Sequence, residues 1–299
     1  MLLGQLAALT TSFLFSTTST FFTLAGRKVG SMVLNRARLV TAVILVTLAH
    51  FLLRIPLPFQ AGAQRWFWLA FSGLVGLVLG DAFLYQAFIW IGPRLTMLMM
   101  ALHPAIATLL AWIFLGEALS PVQIFGVALT LSGIAWVVAD GNHASNRTDL
   151  PRKQYLLGIL YGLGAATGQA AGLIAAKPAL EGGFPALSGT LIRMSTAAVI
   201  LWGYALLRGQ AGATLRVLGA HPPIMRLILA GSITGPFLGV TLSLFAVQNA
   251  PVGIASTLMA LPPVILLPIG YFFFKERFGW RAVTGTLLAV AGVGILFLI

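Results

Sequence analysis

The sequence predicts an all-α polytopic membrane protein, with ten transmembrane helices arranged as two inverted five-helix repeats. Three observations carry that expectation. Of its 299 residues, 59% are hydrophobic and only 8% are charged, against about 25% charged in a soluble domain. The apolar residues fall into ten runs, each near the roughly 20 residues that cross a bilayer. The two halves of the chain also match one another at a constant offset of 159 residues. A membrane barrel would need period-two polarity, which these runs lack. Ten spans leave about a hundred residues for loops and ends, so no soluble domain fits.

The spans fall near 2–25, 30–53, 66–90, 95–115, 121–139, 154–175, 186–207, 224–247, 252–274 and 280–298. The first has no basic stretch ahead of it, so it reads as a retained helix and not a cleaved signal peptide. Ser120-Pro121 reads as an N-cap followed by proline at the first helical position, opening span five. Pro104 and Pro262-Pro263 fall inside spans four and nine, where they kink or break the helix. The segments 140–153 and 208–223 read as polar, glycine-containing connectors.

The net charge of +12 would suggest nucleic acid for a soluble protein. Here it reflects basic residues that hold loops on the cytoplasmic side, so no nucleic-acid partner is expected. Fourteen Lys and Arg fall at loops or ends after the odd-numbered spans and four on the other side. That bias places a multi-pass chain in the cell (inner or plasma) membrane with both termini outside. Arg36, Arg38 and Arg193 enter that tally although they fall at the edges of helices. The chain has no cysteine, which excludes disulfides and thiolate metal sites. No cofactor or metal is expected, and oligomeric state stays open between monomer and dimer.

At the 159-residue offset, Ser72–Asp140 aligns with Gly231–Ile299 without a gap. Gly76 and Gly80 meet Gly235 and Gly239, Met100-Ala101-Leu102 meets Met259-Ala260-Leu261, and Glu117 meets Glu276. Further upstream, an offset near 155 places Arg38 on Arg193. The repeats are thus 1–140 and 154–299, joined by 141–153. Five spans is an odd number, so the second copy enters the membrane from the opposite face. Inverted repeats are an architecture of secondary transporters, with the site near the midplane between them.

Two five-helix repeats, an arginine early in the second helix of each, and Glu117 with Glu276 together resemble the drug/metabolite transporter superfamily. Within it, the chain is similar to the EamA-like ten-helix exporters over essentially its whole length. The resemblance implies a secondary transporter working by alternating access, with amino acids or similar small polar metabolites as substrates. Relatives that carry drugs, sugars or nucleotide sugars provide the alternative of a multidrug or sugar transporter on the same fold.

Asp81 is the leading candidate for substrate binding or proton coupling. It lies about 18 Å down its helix from the nearest loop, where a carboxylate costs about 2.5–3.5 kcal/mol. Its repeat counterpart is Val240, so the fold does not require a carboxylate there. A structural hydrogen bond or a buried pair with an arginine explains it as well. Asp81→Asn is expected to abolish pH-gradient dependence with the fold intact. His103, at similar depth on the next helix, could relay protons or satisfy a carbonyl freed by Pro104. Tyr85 lies one turn beyond Asp81.

Arg38 offers a counter-charge for a substrate carboxylate, although its recurrence as Arg193 also fits a structural duty. Span one carries Ser12, Ser16, Ser19, Thr20 and Thr23 on one helical face, able to line a path for a polar solute or to join helices. Span six carries Gln169 beside a ladder of Gly164, Gly168 and Gly172, and span eight repeats the ladder with Gly231, Gly235 and Gly239. These ladders signal close packing. Glu117 and Glu276 read as structural, each beside the N-terminus of the fifth helix of its repeat.

No catalytic constellation appears: there is no His-Glu-x-x-His, Gly-x-Ser-x-Gly or nucleotide loop. That disfavours an intramembrane enzyme and an ATP-driven pump. A non-transporting scaffold is disfavoured by a carboxylate at the midplane.

Overall fold

The protein is described by a computed structural model covering residues 1–91, 96, 99–100, 102–140, 151–262, 264–265 and 280–297. Among them the helices are α1 (Leu2–Val29), α2 (Ser31–Leu53), α3 (Ala63–Trp90), α4 (His103–Leu115) and α5 (Pro121–Asp140). There follow α6 (Arg152–Leu180), α7 (Ala186–Leu207), α8 (Ala211–Ala220), α9 (Pro222–Asn249), α10 (Val252–Met259) and α11 (Trp280–Phe297). The protein is an all-helical, multi-pass membrane protein. Of the described helices, α2, α3, α6, α7 and α9 are long and apolar enough to cross a membrane. At 28 residues α1 is as long, but its serines and threonines dilute its apolar character.

Local sequence accounts for the punctuation. Gly30 alone separates α1 from α2, with φ of 84°, a conformation open to glycine. Ser120 Oγ accepts the N–H of Gln123 at 3.3 Å and Gln123 Oε1 accepts the N–H of Ser120 at 3.0 Å, a reciprocal capping box at the start of α5. Pro104 sits in the first turn of α4, where a missing N–H costs nothing. On the other side, α10 ends at Met259, three residues before Pro262.

The halves interlock. α1 packs along α9 and α10, and α6 packs along α3 and α4. α2 lies against α7, and α5 against α11. Each of these contacts is therefore the repeat image of another, or of itself. The glycine ladders make the close approaches. A Cβ on Gly168 would lie 2.9 Å from the Cα of Gly80, and one on Gly172 would lie 3.0 Å from the Cα of Gly76. In α9, Gly231, Gly235 and Gly239 face Phe22, Thr18 and Phe15 of α1.

Two features were not foreseen. The first is a widened turn in the middle of both α3 and α9. Residues Gly73–Gly80 and Ile233–Gly239 take π-helical hydrogen bonding, and these stretches coincide at the 159-residue offset. Asp81 N–H bonds to the Gly76 carbonyl and Val240 N–H to the Gly235 carbonyl, five residues back. Such turns are frequent at functional sites. The second is α8, which occupies the 208–223 segment expected to be a connector. Its glycines hide a short apolar period: Val217 and Leu218 pack against a core that includes Phe22 and Ile228.

The charged residues need two corrections. Arg36, Arg38 and Arg193 are buried within helices, so they do not belong in a tally of loop charges. Without them, fourteen and four become twelve and three, and the bias persists. Arg36 donates to Thr214 Oγ1 at 2.9 Å and Gln210 Oε1 at 2.8 Å, tying α2 to α8. Glu117 serves a different helix from the one expected. Its carboxylate pairs with Lys177 and accepts the N–H of Val252 at 2.8 Å, capping α10 of the other half. Glu276 lies outside the described residues, as does most of the 141–153 connector.

Candidate functional site

A cavity of about 150 Å³ lies where the halves meet. Positions related by the repeat line it in pairs. Asp81 and Val240, Leu84 and Ser243, Met100 and Met259, and His103 and Pro262 all contribute, as do Arg38 and Arg193. Met100 and His103 flank the turn at Leu102, and Met259 and Pro262 flank the turn at Ala260, so both turns lie beside the same space. Discontinuous helices are a common setting for transporter sites.

The polar cluster centres on Asp81, which is 4% exposed. Arg38 pairs with its Oδ2, while Gln169 Nε2 donates to its Oδ1 at 2.7 Å. Arg38 Nε donates to Asn35 Oδ1 at 2.9 Å, and its guanidinium lies 4.9 Å from the centre of the Tyr85 ring. Tyr85 in turn meets Phe22 edge-on at 5.6 Å. One carboxylate thus joins α2, α3 and α6, and through Gln169 it reaches the second half. Gln169 gets this close because α6 crosses α3 at glycines: a Cβ on Gly80 would fall 3.3 Å from the Gln169 backbone nitrogen.

Of the residues singled out from sequence, Asp81, His103, Tyr85, Ser19, Arg38 and Gln169 line the cavity. Ser16 and Thr20 do not. Ser16 is buried and donates to its own helix at the Ser12 carbonyl, 2.8 Å away. Thr20 is exposed on the outer surface. The face of α1 that lines the cavity is Phe15, Thr18, Ser19 and Phe22, rotated by about one residue from the hydroxyl stripe. Most hydroxyls of that stripe bond to carbonyls of α1 itself, as Thr23 does to Ser19 at 2.6 Å. Bonds that join α1 to α9 come from Thr18, 2.7 Å from the Thr234 hydroxyl, and from Thr11, which donates to the Gly239 carbonyl at 3.5 Å.

The pairing of Asp81 with Arg38 corrects one expectation. Asp81→Asn would leave a buried guanidinium without its counter-charge, so that variant does not leave stability untouched. Arg193 is the charged cavity residue absent from the sequence-based site. It is 4% exposed, and its recurrence as the partner of Arg38 was the available signal.

Membrane helices in two interlocked halves thus enclose a largely apolar cavity with a buried ionic cluster on its wall. The chain belongs to the EamA-like transporter family, whose model matches it twice, over residues 2–139 and 156–298. It is 25% identical over 206 residues to a protein of Streptantibioticus cattleyicolor named "Probable terminal-alkyne amino-acid exporter". That match takes in 67% of this chain and 62% of the relative, so the chain spans under two thirds of the relative's length. A solved crystal structure of another protein shares the fold, with TM-score 0.72 at 17% identity, covering 99% of this chain and 96% of the other.

Proposed function

We propose that the chain exports amino acids, or polar metabolites of similar size, by alternating access around this cavity, with Asp81 carrying a coupling proton. The observation that carries the reading is the Asp81–Arg38–Gln169 cluster, which bridges the halves through one ionisable group. Protonation of Asp81 would release Arg38 and weaken the tie to Gln169, coupling the proton to movement of one half against the other. The cavity volume of about 150 Å³ falls below the roughly 300–1,000 Å³ that holds drug-sized ligands. The name of the S. cattleyicolor relative points to the same substrate class.

The runner-up is export of hydrophobic drugs, favoured by the aromatic wall of Phe15, Phe22 and Phe88. On the first reading that wall receives an apolar amino-acid side chain. The charge bias of the loops supports placement in the cytoplasmic membrane with both termini outside.

The test is uptake of a labelled amino-acid panel, including L-propargylglycine, into proteoliposomes with and without a pH gradient. It uses wild type, Asp81→Asn, and the double variant Arg38→Gln/Asp81→Asn, which removes both members of the ion pair. Saturable, gradient-driven uptake by wild type that both variants lose supports the reading. Gradient-driven uptake by the double variant ends the proton-carrier assignment. Absence of amino-acid uptake by folded wild type ends the substrate assignment.

A further inference from the structure

The cavity holds two guanidiniums against one carboxylate. Arg38 is satisfied by Asp81, Asn35 and the face of Tyr85. Its repeat partner Arg193 is not. Its Nε and Nη1 are buried with no hydrogen-bond partner among the described residues, and it forms no salt bridge to Asp81. Its guanidinium lies beside Gly76, where a Cβ would come within 3.2 Å of Nη2. Its backbone is held still more tightly, because a Cβ on Gly73 would lie 2.6 Å from the Arg193 carbonyl oxygen. The side chain is therefore fixed at the cavity wall with donors unused. Asp81 attracts both guanidiniums, but one carboxylate balances only one of them, and an anion entering the cavity would balance the second.

We propose that Arg193 is the substrate's carboxylate site, and that a free carboxylate is the feature this cavity requires of its ligand. A guanidinium presents paired N–H donors that match a carboxylate. The assignment extends the transport reading above, since it names the group by which a small metabolite is held. Arg38 cannot serve in this conformation because its charge is already matched by Asp81.

The test compares acids with their amides on the purified full chain at fixed ionic strength and pH. Butanoate and hexanoate are set against butanamide and hexanamide, and L-norvaline against L-norvalinamide, with thermal stabilisation as the readout. Wild type should bind each acid about tenfold or more tightly than its amide, the scale of one charge-assisted hydrogen bond. Arg193→Gln should erase that preference and Arg193→Lys should keep part of it. Equal binding of acids and amides by wild type overturns the proposal without needing any variant to fold. A preference that persists in folded Arg193→Gln overturns it too.

The outcomes separate the two readings. Acid preference without amino-acid uptake upholds Arg193 and removes the amino-acid reading. Amino-acid uptake that norvaline and norvalinamide inhibit equally keeps that reading and removes Arg193.

Discussion

The Glu117 carboxylate accepts the backbone N–H of Val252 at 2.8 Å, so a side chain of one half caps a helix of the other. Lys177, from α6, completes the group by pairing with Glu117 and donating to the Ala250 carbonyl at 3.2 Å. The group ties the α4–α5 junction to α6 and the start of α10. Glu117→Ala should destabilise the purified protein by about 0.5–2 kcal/mol, the cost of a lost N-cap. Glu117→Gln, which keeps an acceptor, should cost less than Glu117→Ala. Denaturation in mixed micelles measures both, and equal losses would mean that capping contributes nothing.

The Arg38–Asp81 pair predicts strong non-additivity. Either Asp81→Asn or Arg38→Gln alone should cost about 3–5 kcal/mol, because each strands a buried charge or its partner. The double variant should cost less than the sum by at least about 1 kcal/mol. A double-mutant cycle read by the same denaturation gives the coupling directly, and additive losses would argue that the two groups are independent.

Glycines of different surroundings should respond in opposite directions. Gly168→Ala forces a methyl group to within 2.9 Å of the Gly80 Cα and should cost about 1–3 kcal/mol. Gly203, on α7, has nothing within 4 Å of where a Cβ would sit. Gly203→Ala should therefore be neutral or stabilise by up to about 1 kcal/mol. Thermal unfolding of the two variants side by side checks the sign.

The rotated face of α1 gives a contrast between neighbours. Thr18→Val removes the bond to Thr234 and alters the cavity wall, so it should cost about 0.6 kcal/mol and change the apparent KM for uptake. Thr20→Val should lie within about 0.5 kcal/mol of wild type with uptake unchanged. A larger effect at Thr20 than at Thr18 would restore the hydroxyl stripe as the functional face.

Where the residues are described, the span positions were legible because hydropathy is a property of the chain itself. Asp81 stood out as a carboxylate within an apolar span, and its partner did not. Whether Arg38 or Arg193 meets Asp81 depends on how α2 and α7 pack on α3, which no spacing within one helix encodes. The same holds for Glu117, whose partner Val252 is 135 residues away on the other half. The hydroxyl spacing groups Thr20 with Ser16 and Ser19, whereas the structure puts it on the outer surface. In a bilayer hydroxyls satisfy carbonyls of their own helix on either side, so glycine contacts are the better guide. The π-helical turns leave no local mark beyond glycine, and α8 is masked by its glycines and flanking prolines.

The exchange of α1 and α6 between the halves bears on how the protein is made. During synthesis α1 enters the bilayer well before α9 exists, so Phe15, Thr18 and Phe22 cannot yet meet the glycines they later cover. α6 is different, since α3 and α4 already wait for it when it emerges. Assembly therefore ends with the second half closing over the first helix made. A chain truncated after residue 140 would be left with an orphaned first helix rather than half of a working carrier.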